Sequence, residues 1–99
     1  MVIGLLRAEL HLPRAQSLKD KRSVLQSVKD QLRGRFNISV ADVDSNETWQ
    51  RASLGVAAAG AHQRVVEAIL GDVAAWLRGC GLIAVIRLDA DYLSGDLDA

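Results

Sequence analysis

The chain has one cysteine, one proline and four aromatic residues among its 99 positions. A lone cysteine, Cys80, excludes an internal disulfide and any cysteine-rich metal site. No stretch reaches the ~18 uninterrupted apolar residues that a membrane helix requires. The opening stretch MVIGLLRAEL has no basic leader, and Arg7 and Glu9 interrupt its apolar run, so it does not read as a signal peptide. Glycine-rich phosphate loops, nucleophile elbows and paired-carboxylate motifs are also missing. Together these absences lead to the expectation of a reduced, cytoplasmic, non-enzymatic protein with no membrane partner, cofactor or metal.

What is present fits one domain over residues 1–99, with an acidic tail from about residue 91 that is expected to fray. Val2 to Leu12 alternates as a strand. Val2, Gly4, Leu6, Ala8, Leu10 and Leu12 form one face, and Pro13 ends it. The spacing then predicts a helix from about Leu18 to Gly34. Ser17 is its N-cap, Asp20 stands at the capping-box position, and Gly34 takes a left-handed turn after the last helical turn. Ile38 to Asp44 reads as a short strand, and TWQRASLGVAAAG alternates as the next. A second helix covers about Ala61 to Arg78, where Gly71 is tolerable if it permits close packing. Leu82 to Leu88 is the last strand.

The order β-α-β-β-α-β, two similar halves joined by a hairpin, predicts a ferredoxin-like α+β fold. Such a domain has a four-stranded antiparallel sheet with two helices on one face. The other face is left to water or to a partner.

Net charge is zero, but residues 1–35 hold eight Lys/Arg against three Asp/Glu, and the remainder holds four against nine. At 100° per residue, Lys19, Arg22, Gln26, Lys29 and Arg33 of the first helix fall within an arc of about 80°. Cations in the first turn oppose the helix dipole, costing roughly 0.3–1 kcal/mol each unless an anion is bound there. Lys21 is the misfit, because it projects into the apolar arc. The stripe is either a solvated face or an electrostatic footprint for phosphates. In the second case Ser17 and the first backbone amides would help hold one phosphate. The acidic half of the same chain is the competing partner for these cations.

On the sheet face away from the helices the alternation places Arg7, Glu9, His11, Trp49, Arg51, Arg87 and Asp89, beside Ile3, Leu5, Ile83 and Val85. Only Trp49 among them is an aromatic able to stack a base, so RNA reading by the sheet face is disfavoured. Opposite-charge pairs around an apolar patch of Ile3, Leu5, Ile83 and Val85 instead suggest self-association. The loop DVDSNE offers Asp42, Asp44, Asn46 and Glu47, but it lacks the glycine and the terminal acid of a calcium loop and reads as a hairpin turn. His11 and His62 have no ligand-spaced companions, and Cys80 has no activating neighbour.

The segments SLKDKRSVL at 17–25, RFNISVAD at 35–42 and WQRA at 49–52 resemble the YlxP-like family of small bacterial proteins, a domain-of-unknown-function family. The resemblance spans nearly the whole chain. It implies a ferredoxin-like fold, no known enzyme activity and a link to ribosomes or translation. At the matching positions stand Ser17, Lys19, Lys21, Arg22, Trp49 and Arg51. The leading expectation is therefore RNA or ribosome association through Lys19, Arg22, Lys29 and Arg33 of the first helix. The alternative is a homo-oligomeric or regulatory module that pairs through the open sheet face, with a small-ligand site at the seam.

Overall fold

A computed structural model describes residues 1–44 and 48–95. Strand β1 (Val2–His11) is followed by helix α1 (Leu18–Arg35), strands β2 (Ser39–Asp42) and β3 (Arg51–Gly60), helix α2 (Gln63–Gly79) and strand β4 (Ala84–Ser94). All sheet pairings are antiparallel, in the order β2-β3-β1-β4. This is the ferredoxin-like α+β arrangement predicted from the sequence pattern.

The core follows from the two periodicities. Every second residue of β1 and β3 is buried: Leu6, Ala8 and Leu10 on one, Leu54, Val56 and Ala58 on the other. Leu25, Val28 and Leu32 of α1 and Val66, Leu70, Val73 and Leu77 of α2 supply the facing stripes. Each fully buried Leu or Val contributes about 1.5–3 kcal/mol over exposure. Gly4 is required for this packing. A Cβ there would lie 2.3 Å from Val66 Cγ1 and 2.8 Å from Leu70 Cδ1, so only glycine lets α2 approach β1.

Four sequence expectations are corrected. Gly34 lies inside α1, and no glycine has positive φ among the described residues. The helix instead ends at Phe36, which is extended at φ −131° and donates its amide to Leu32 O, while its ring packs on the core. Gly71 permits no close approach, since nothing lies within 4 Å of a Cβ built there.

The third correction concerns the end of the last strand, which runs past Leu88 to Ser94. Residues 91–94 are thus paired with β1, and the tail beyond Gly95 lies outside the described residues.

The fourth concerns its faces. Arg87 pairs with Glu9, but Val85 pairs with Leu10, so Ile86 is an extra residue in a β-bulge. The bulge shifts the alternation by one. Val85 therefore joins Leu88 against the core, and Ile83 is buried at 7% exposure. Neither Ile83 nor Val85 belongs to the open face, where Ile3 and Leu5 remain.

Candidate nucleic-acid interface

The first turn of α1 is capped by its own residues. Asp20 N donates to Ser17 Oγ at 3.0 Å, and Gln16 N donates to Asp20 Oδ2 at 3.0 Å. The helix start thus already carries a carboxylate, the anion its free amides favour. Ser17 is occupied as a cap and is not positioned by itself for a phosphate.

The predicted cations divide into two groups. Three are engaged within the fold. Lys21 occupies the first position of the buried stripe that continues through Leu25, Val28 and Leu32, and its Nζ donates to Thr48 O at 3.0 Å. Its burial in an apolar arc is possible because the ammonium reaches a backbone carbonyl. Lys29 is paired with Asp42 at 2.8 Å, its side chain only 14% exposed. Arg33 donates to Val40 O at 2.7 Å and lies 3.7 Å from Asp30. The acidic part of the chain therefore answers Lys29 directly.

Lys19 and Arg22 are the second group. Both are exposed, and neither has a carboxylate partner among the described residues. Arg14, in the loop before α1, shares that condition, whereas Arg51, at the start of β3, is exposed but acts on the Glu9 carboxylate. Arg14 was not singled out from the sequence, although it begins the basic run that the charge count detects.

These four residues come to one end of the molecule through a set of cross-links. Leu12 N donates to Gln50 O at 2.9 Å, and the ring of His11 approaches the same carbonyl at 3.2 Å. Gln50 Nε2 donates to Ala15 O at 3.2 Å. With the Lys21–Thr48 bond, these contacts fasten the Thr48–Trp49–Gln50 segment to the end of β1, the following loop and the first turn of α1. Trp49 lies in the turn ahead of β3, not on the sheet face, and is 49% exposed. The other tryptophan, Trp76, sits under Arg35 at 5.9 Å, at the opposite end of α1.

Beside α1 opens a cleft of about 500 Å³, lined by Leu18, Lys21, Arg22, Lys29, Asp42 and Asp44. At its margin Ser53, buried on β3, donates its hydroxyl proton to Glu9 Oε2 at 2.5 Å. Arg7 Nε approaches the other Glu9 oxygen at 2.8 Å. The Ser53 hydroxyl first, and then Arg7, hold the Glu9 carboxyl below the usual carboxylate range. Among the described residues no three His, Cys, Asp or Glu side chains converge on a metal-sized site. Asn46 and Glu47 of the DVDSNE stretch, read from the sequence as a turn, lie outside the described residues.

The family profile described as "Protein of unknown function (DUF503)" matches residues 3–90, and the chain belongs to that family. It is 34% identical over 76 residues to the "Uncharacterized protein YlxP" of Bacillus subtilis (strain 168), covering 77% of this chain and 83% of that one. Among solved structures it is similar to the "De novo designed protein Ferredog-Diesel", with 14% identity, a TM-score of 0.49, and coverage of 90% of this chain and 83% of the other. Among the described residues no helix is long and apolar enough to cross a membrane.

Proposed function

We propose that this DUF503 member is a non-enzymatic RNA-binding protein, of the kind that attaches to ribosomal RNA, and that it binds through the end where α1 begins and β3 is approached. The observation that carries the reading is that an exposed tryptophan and exposed cations share that end. Trp49 offers a stacking surface for an unpaired base, and Arg14, Lys19, Arg22 and Arg51 offer charge to the flanking phosphates. Lys21, Lys29 and Arg33 then act as structural cations, because each already holds a partner inside the fold. Contacts of this type position a protein on a strand without reading its sequence.

The test is fluorescence anisotropy with a labelled single-stranded RNA across a salt series. Affinity should fall by about 0.7 log units per log unit of salt for each phosphate contacted. The double variant Lys19→Glu/Arg22→Glu should bind more weakly and with a flatter slope, and Lys29→Ala should leave the slope unchanged. Equal binding by wild type and the double variant overturns the reading.

A second reading, self-association through the open sheet face, is favoured by a trough of about 460 Å³ there, whose floor includes Gly55 and Ala57 and whose walls include Leu5 and Val43. Leu5 and Val43 are 41% and 45% exposed.

A further inference from the structure

The open face is divided lengthwise into two unlike halves. On β2 and β3 it presents mostly small or apolar residues, Ser39 beside Ala57, Ala41 beside Gly55 and Val43 folded over Gly55, with Arg51 at the His11 end of β3. A Cβ at Gly55 would lie 2.6 Å from Val43 Cγ1, so glycine is what lets Val43 lie flat across the sheet. On β1 and β4 the centre of the face is charged. Arg7 stands opposite Asp89 and Glu9 opposite Arg87 in the β1–β4 register. Along each strand the signs also alternate, with Arg7 bonded to Glu9 and Arg87 to Asp89, both at 2.8 Å. The four residues form a checkerboard of charge.

This pattern carries no attraction for a polyanion. Glu9, Asp89 and Asp91 balance its cations, and no aromatic side chain stands on this part of the face to stack a base. It is, however, complementary to itself. A two-fold axis running across the strands, between the Arg7–Asp89 row and the Glu9–Arg87 row, places Arg7 over the Glu9 of a second copy and Arg87 over its Asp89. The same rotation keeps β2 and β3 over their own counterparts, so their small and apolar residues meet each other, with Arg51 set over Ala57 towards the margin. A two-fold along the strands instead sets β4 over β2 and β1 over β3, leaving Arg7, Glu9, Arg87 and Asp89 facing Gly55, Ser53, Val43 and Ala41, with their solvation lost and nothing gained. At ~4.8 Å between strands and ~3.3 Å per residue, the face spans roughly 500–600 Å² per copy. Two such faces reach the ~1,000 Å² that a specific interface needs.

Resting on the self-association reading above, we infer that the partner of the open sheet face is a second copy of this chain, related by a two-fold axis across the strands and registered by the Arg7, Glu9, Arg87 and Asp89 checkerboard. The interface is isologous and closed.

Arg87→Glu and Asp89→Arg test it, since both side chains are more than half exposed and neither belongs to the core. Sedimentation equilibrium of the full chain at tens of micromolar should give twice the 10.7 kDa chain mass. Each variant alone should be folded by circular dichroism and monomeric, because like charges then oppose across the axis. An equimolar mixture of the two should recover the dimer. In the mixed pair, position 87 of either chain again faces a charge of opposite sign at position 89 of the other. A monomeric wild type overturns self-association itself. A dimer that persists in both single variants, or monomeric variants that do not recover on mixing, overturns this arrangement alone.

Discussion

The Lys21 ammonium donates to the Thr48 carbonyl at 3.0 Å, joining the buried stripe of α1 to the segment that carries Trp49. A lysine in an apolar arc is explained by that bond. Its stem packs with Leu25 on the same helix face, and its charge finds an acceptor at the margin of the core.

Replacing Lys21 with methionine keeps the stem and removes the donor. Thr48 O keeps its bond from Arg51 N at 3.4 Å, so the loss is that of one net hydrogen bond, about 0.5–1.5 kcal/mol. A domain of this size should then melt lower by roughly 4–8 °C for each kcal/mol. Thermal denaturation by circular dichroism measures this, and an unchanged melting temperature would show that the bond contributes nothing.

The glycines of β1 and α2 predict opposite signs. Gly4→Ala drives a methyl into Val66 and Leu70, and overpacking of this kind costs about 1–3 kcal/mol. Gly71→Ala meets nothing within 4 Å and sits on the exposed side of α2, so it should stabilise by up to about 1 kcal/mol through helix propensity. Urea denaturation of the two variants should move the midpoint down for the first and up for the second.

Much of this was legible in the sequence. The alternation in β1 and β3 and the stripes of α1 and α2 revealed the element order, because a buried face must repeat with the period of its backbone. The bulge at Ile86 was legible in principle. Ile83 and Val85 are apolar at odd positions, while Leu88 and Tyr92 are apolar at even ones, a phase slip of one residue. Read as unbroken alternation, it sent Ile83 and Val85 to the wrong face. The fate of the basic stripe was not legible, since pairing of Lys29 with Asp42 and of Arg33 with Val40 O depends on how α1 lies along β2. Nor does sequence spacing show that SLKDKRSVL and WQRA meet at one end, because 27 residues separate Lys21 from Thr48.

Glu9 gives a pH dependence. Its folded pKa lies below the unfolded value, so its contribution to stability is fully present above the ordinary carboxylate range and is lost as pH falls through the folded pKa. Glu9→Gln should therefore be less stable than wild type at neutral pH, and the gap should close on acidification below about pH 4. Denaturant midpoints at several pH values check this. A gap that stays constant with pH would mean that the Ser53 and Arg7 contacts do not depend on the charge of Glu9.

Trp49 and the surrounding cations should affect RNA binding in separable ways. Stacking of a base on an indole contributes about 1–3 kcal/mol and involves no counterion release. Trp49→Ala should thus weaken single-stranded RNA binding by roughly 5- to 150-fold at fixed salt while leaving the salt slope as it is in wild type. Arg22→Glu should flatten the slope. Trp49 emission should also be quenched on titration with RNA, and this can be read in a Trp76→Phe background because Trp76 lies at the other end of α1 beneath Arg35. If Trp49→Ala binds as tightly as wild type, the base does not stack there, and attraction at this end is a matter of phosphate charge alone.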